Sequence, residues 1–156
     1  MLSESARMSS AAEARFRVQA PNSTPRVTRV VALDAAGERV VRRLAAAGLT
    51  HATFFTAAHS ALADLAGRTT SVDEEVRTAD LVVLVAGPGG QAHGASLVGQ
   101  ACSLRRVMTT GFVVGVTSGS QSALSKTLAQ LRPWSLMVVI ADGDEYIDDM
   151  LTALRA

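Results

Sequence analysis

The most constraining stretch of the chain is Ala79-Asp-Leu-Val-Val-Leu-Val-Ala-Gly-Pro-Gly-Gly-Gln-Ala-His-Gly-Ala95. Leu81 to Val85 is apolar at every position, so a strand built from it is buried on both faces, which is the environment of a parallel sheet covered by helices. The strand empties into a glycine-rich turn, Gly87 to Gly94, that opens a helix. At a helix start the first backbone N–H groups are unpaired and carry the positive end of the dipole. A phosphate or carboxylate is stabilised there when glycines let it approach.

Around this centre strand and helix patterns alternate. Val27, Val30, Val31 and Leu33 form a first strand, Asp34-Ala-Ala-Gly37 a turn, and Val40, Val41, Leu44 and Ala47 the inner face of a helix that Gly48 ends. Ala52 to Thr56 reads as a second strand and His59 to Ala66 as a short helix. Arg68 to Thr78 is polar, with Ser71 and Glu74 spaced as a capping box. After the central strand a helix follows from about Ala95 to Met108, with Leu97, Val98, Ala101, Leu104 and Met108 inward. Phe112 to Val116 is a fourth strand, Thr117-Ser-Gly-Ser120 leads into a helix bearing Leu124, Leu128 and Leu131, and Leu136 to Ile140 is a fifth strand. Asp142-Gly-Asp144 opens a last helix with Ile147, Met150, Leu151 and Leu154 inward. The expectation is a Rossmann-like, three-layer αβα sandwich around a mainly parallel five-stranded sheet of order 2-1-3-4-5. That order places Asp34 to Gly37 and Gly87 to Gly94 on either side of one crevice. Residues 26–156 form the expected single domain, and residues 1–25, rich in Ser, Ala and Arg, read as a flexible tail.

Composition narrows the function classes. With 156 residues the chain is long enough to bury about 68–70% of its unfolded surface. A formal net charge of +1 gives no concentrated basic face for nucleic acid. No apolar run approaches the roughly 18–20 residues of a membrane-spanning helix, and the start lacks the apolar core of a secretory signal. A cytoplasmic protein with no nucleic-acid or membrane partner is expected. The single cysteine, Cys102, rules out an internal disulfide and falls on the apolar side of its helix, as a small core residue does.

Candidate polar groups cluster at strand ends. Asp34 stands at the carboxyl end of the first strand, where ligands bind in such sheets, or it caps the helix beside Gly37. His93 offers a donor to phosphate or an acid or base near neutrality. Asp34 and His93 are thus the catalytic candidates. The ligand-binding set is Asp34, Gly37, Gly87, Gly89, Gly90, Gln91, His93 and Gly94. No metal site is expected: His51, His59 and His93 are scattered, and Asp142, Asp144, Glu145, Asp148 and Asp149 suit the start of a helix.

These segments also resemble a known family. Val30-Val-Ala-Leu-Asp-Ala-Ala-Gly-Glu-Arg-Val-Val-Arg-Arg-Leu-Ala-Ala-Ala-Gly-Leu49, followed by Ala52-Thr-Phe-Phe55, looks like the opening of the tubulin-like cell-division GTPase FtsZ. Ala79 to Ala95 resembles the strand and signature loop, Gly-Gly-Gly-Thr-Gly-Thr-Gly, that holds GTP phosphates in that family. Phe112-Val-Val-Gly-Val-Thr117 and Leu136-Met-Val-Val-Ile-Ala-Asp142 fall where its next strands stand. The resemblance implies a nucleotide-binding fold, GTP or another phosphate ligand, and assembly with further subunits. The departures are specific. Asp34, Ala35, Ala36, Glu38 and Arg39 replace glycines and the closing asparagine of the first phosphate loop, where carboxylates repel phosphate and β-carbons block its approach. Ala92 and His93 replace both threonines of the signature loop, which is one residue shorter. The expected function is therefore a non-hydrolysing FtsZ/tubulin-like domain acting through contacts with itself, as a homo-oligomer, or with another protein. The alternative is an α/β domain that binds or transforms a small molecule or phosphate ligand in the altered glycine-loop crevice.

Overall fold

The computed structural model describes residues 25–89, 91–116, 120–142 and 145–153. In chain order the elements are β1 (Thr28–Ala32), α1 (Ala35–Ala46), β2 (Ala52–Ala57), β3 (Leu62–Asp64), β4 (Thr69–Thr70), α2 (Val72–Arg77), β5 (Leu81–Ala86), α3 (Gly94–Arg105), β6 (Met108–Val114), α4 (Gln121–Leu131), β7 (Met137–Ala141) and α5 (Glu145–Ala153). The strands form one sheet in the order β4-β3-β2-β1-β5-β6-β7. The protein is an α/β fold, Rossmann-like in kind.

The expected five-stranded sheet of order 2-1-3-4-5 is corrected to seven strands. Pairing is parallel from β2 through β1, β5 and β6 to β7, and β3 and β4 add antiparallel strands outside β2. Both lie in segments read as a helix, His59 to Ala66, and as polar connection, Arg68 to Thr78. Alanine and leucine favour a helix over His59 to Ala66, but propensity is a weak force beside the backbone hydrogen bonds offered by the open edge of β2. Leu62 pairs there with Ala57, and Asp64 with Phe55. The Ser71–Glu74 capping box also does not form. Ser71 stands at the N-cap of α2 without a side-chain cap bond, while Glu74 is held by Arg77 at 2.8 Å.

β5 lies at the centre and is buried along its whole length. Its residues divide by parity. Leu81, Val83 and Val85 join Val30, Val41, Leu44, Phe112 and Ile147 beneath α1 and α5. Val82, Leu84 and Ala86 join Val31, Phe55, Val98, Cys102 and Leu131 beneath α2, α3 and α4. The alternation of a strand thus feeds two apolar cores, one on each face. Boundaries shift at the ends: β6 begins at Met108, which the apolar pattern assigns to the preceding helix, and Leu104, expected inward on α3, is exposed. Met108 is drawn into the sheet because it aligns with Leu81 of β5. Leu154 and the Gly143-Asp144 part of the last expected cap lie outside the described residues. No helix among the described residues is long and apolar enough to cross a membrane.

Candidate functional site

Because β1 and β5 are neighbours, the turn after each opens on the same end of the sheet. Asp34, two residues past β1, is the N-cap of α1, and its carboxylate takes hydrogen bonds from both turns. The Gly37 N–H donates to Oδ1 at 2.8 Å, and the Gly87 N–H donates to Oδ2 at 2.9 Å and to Oδ1 at 3.2 Å. A helix N-terminus and a glycine amide are the donors that cradle a phosphate in folds of this kind. Here a carboxylate of the chain itself sits on them.

The two turns also pack tightly. A β-carbon on Gly87 would stand 2.6 Å from the Ala36 methyl, and one on Gly37 would collide with the Val85 carbonyl oxygen. Gly37 lies inside the first turn of α1 rather than in a loop. No gap for a phosphate is left where Ala36 meets Gly87.

The rest of the glycine loop is fastened to α4. Gly89, at φ +139°, donates to the Ala123 carbonyl and to Thr127 Oγ1, each at 3.2 Å. Thr127 Oγ1 in turn donates to the Gly87 carbonyl at 2.9 Å. The Ala92 N–H donates to Gln130 Oε1 at 2.9 Å. With that oxygen accepting, Gln130 Nε2 donates to His93 Nδ1 at 3.1 Å, which leaves the proton of the neutral imidazole on Nε2. The amides of Gly37, Gly87, Gly89 and Ala92 are thus spent on Asp34, Thr127, Gln130 and the Ala123 carbonyl. Neither Thr127 nor Gln130 was singled out in the sequence. Their signal is the three-residue spacing that runs beside the Leu124, Leu128 and Leu131 stripe of α4.

His93 lines a separate cleft. Leu33, Ala57, Ala58 and His59 from the ends of β1 and β2, and Gln91, His93, Gly94, Ser96 and Leu97 from the start of α3, enclose about 340 Å³. Gly94 is needed here, because a β-carbon would stand 2.7 Å from the Ala57 methyl. Asp34 does not line this cleft. The residues thus fall into two groups: Asp34, Gly37 and Gly87 on one side, and Gln91, His93 and Gly94 on the other, with Gly89 between them. Gly90 lies outside the described residues. His59, which the sequence leaves scattered from His93, lines the same cleft from just past β2.

Charged neighbours mostly pair with one another. Arg43 meets Asp148 at 3.0 Å and ties α1 to α5, and Arg105 meets Asp73 at 2.8 Å and ties α3 to α2. The hydrogen bond from Arg105 holds the Asp73 carboxyl below its usual range. Burial pushes the Cys102 thiol up, with the Thr109 hydroxyl opposing that in part. Such a thiol is a poor nucleophile. Among the described residues no three His, Cys, Asp or Glu side chains gather around a space for one metal ion. No model of a known protein family and no curated protein matches the chain.

Proposed function

We propose that this chain is a non-hydrolysing FtsZ/tubulin-like domain that acts through protein contacts. The observation that carries this reading is the Asp34 carboxylate, bonded to the Gly37 and Gly87 amides, where a nucleotide phosphate would bring its own negative charge. A second anion placed there is repelled and finds its donors taken. Purified protein is expected to show no GTP turnover and no change of melting point with GTP or GDP. A nucleotide at about 100 times its dissociation constant adds roughly 2.7 kcal/mol, a rise of several degrees for a chain of this size. Sustained GTP hydrolysis would overturn the reading.

A second reading is favoured by the cleft of about 340 Å³ beside His59 and His93. It takes a small phosphate compound there, bound by the His93 Nε2–H and the start of α3, which has no side-chain cap. A melting-point rise with such a compound that His93→Ala removes supports it. A rise that His93→Ala leaves intact counts against it.

A further inference from the structure

The two edges of the sheet differ sharply. At one, β4 is a pair of threonines between Arg68 and Ser71, short and polar in the manner that discourages further strands. At the other, β7 carries Met137-Val-Val-Ile-Ala141 with no charge and no proline, and among the described residues it pairs only with β6. Met137 is 42% exposed and Ile140 46%, with Leu136 just ahead at 79%. Proteins ordinarily blunt such an edge with lysine, proline or a bulge. Nothing of the sort is present in β7.

Charge indicates what covers it. At the amino end of β7 stand Arg132, which closes α4, and Arg106, which borders a hollow of about 480 Å³ with Trp134 and Leu136. At the carboxyl end stand Asp142 and Glu145. None of these four charged side chains forms an ion pair among the described residues. A strand that is basic at one end and acidic at the other repels a parallel copy of itself and attracts an antiparallel one. A two-fold axis makes that arrangement close on itself.

We infer that β7 pairs antiparallel with β7 of a second copy, about an axis near Val139, so that the two sheets run on as one. Met137 then faces Ala141 of the other copy, and Arg132 and Arg106 lie toward the end of the other strand that carries Asp142 and Glu145. The inference rests on the protein-contact function proposed above and names the partner as a second copy of the chain.

Light scattering or sedimentation of the full chain over a dilution series tests it. A dimer is expected. Ile140→Lys sets two like charges across the axis and weakens association at least about tenfold, with thermal unfolding confirming that the variant is folded. Arg132→Glu also weakens it, and Arg132→Glu combined with Asp142→Arg restores it, which tests the interface even where Ile140→Lys does not fold. A monomer at every concentration overturns the inference, as does a dimer indifferent to Ile140→Lys. Failure of the double reversal to restore association overturns the antiparallel arrangement. A monomer without GTP turnover sinks this inference alone, whereas a dimer that hydrolyses GTP sinks the proposed function alone.

Discussion

Asp34 is a small residue with an unusual number of obligations. Its two oxygens serve the first turn of α1 and the buried Gly87 amide together, so removing the side chain leaves one helix N–H and one loop N–H without an acceptor. Loss of a helix cap costs about 0.5–2 kcal/mol, and an unsatisfied buried donor about 1–3 kcal/mol. Asp34→Ala is therefore expected to destabilise the protein by about 2–4 kcal/mol, read from denaturant unfolding. A loss under about 1 kcal/mol would show that water replaces the carboxylate and that the amides remain open to a ligand. Gly37 shows why the sequence alone was ambiguous at this spot. A glycine after a strand suggests a loop that meets phosphate, but this one is required by the Val85 carbonyl packed against it. Close approach to backbone and close approach to ligand leave the same residue in the sequence.

At the scale of elements, legibility followed the length of the apolar run. β5 and the inner face of α1 were plain because every position of the first is buried, in one core or the other, and Val40, Val41 and Leu44 of the second all enter the same core. The β3–β4 hairpin was not, because a three-residue strand and a two-residue strand show no period. Its signature was the turn. Asp64 accepts from the Ala66 and Arg68 amides at 2.9 Å each, and Gly67 follows at φ +87°, an arrangement of hairpin loops closed by glycine. The same bonds make the hairpin sensitive to acid. The Arg68 N–H, then the Arg68 guanidinium and the Ala66 N–H, hold the Asp64 carboxyl below its usual range against some desolvation. A carboxyl depressed in the folded state stabilises above its unfolded value of about 3.9, and that contribution is lost as pH falls through the lower folded value. Wild type should thus exceed Asp64→Asn in melting temperature at neutral pH, and the gap should shrink on acidification below about pH 4. A gap that stays constant would place the effect in shape rather than charge.

For the whole molecule the decisive feature is that one sheet separates two cores while its central strand belongs to both. Leu44 is fully buried beneath α1 on one face, and Trp134, the chain's only tryptophan, packs against the core on the other face. Trp134 is seated tightly, since a β-carbon on Gly99 of α3 would overlap its ring. The two side chains share no contact, so any link between them runs through β5 and its neighbours. Leu44→Ala removes a buried side chain at a cost of about 2–5 kcal/mol, much of it from the cavity left behind. Were the layers independent, the loss would lower a melting transition seen by circular dichroism, which sums every helix, and leave the midpoint seen by tryptophan fluorescence where it was. Because Leu81, Val83 and Val85 cannot leave one core without carrying Val82 and Leu84 from the other, both signals should fall together, by about 2–4 °C per kcal/mol. Separate midpoints would mean that α1 and α5 peel from a sheet still held by α2, α3 and α4, and would divide the chain into two folding units where the parity of β5 calls for one.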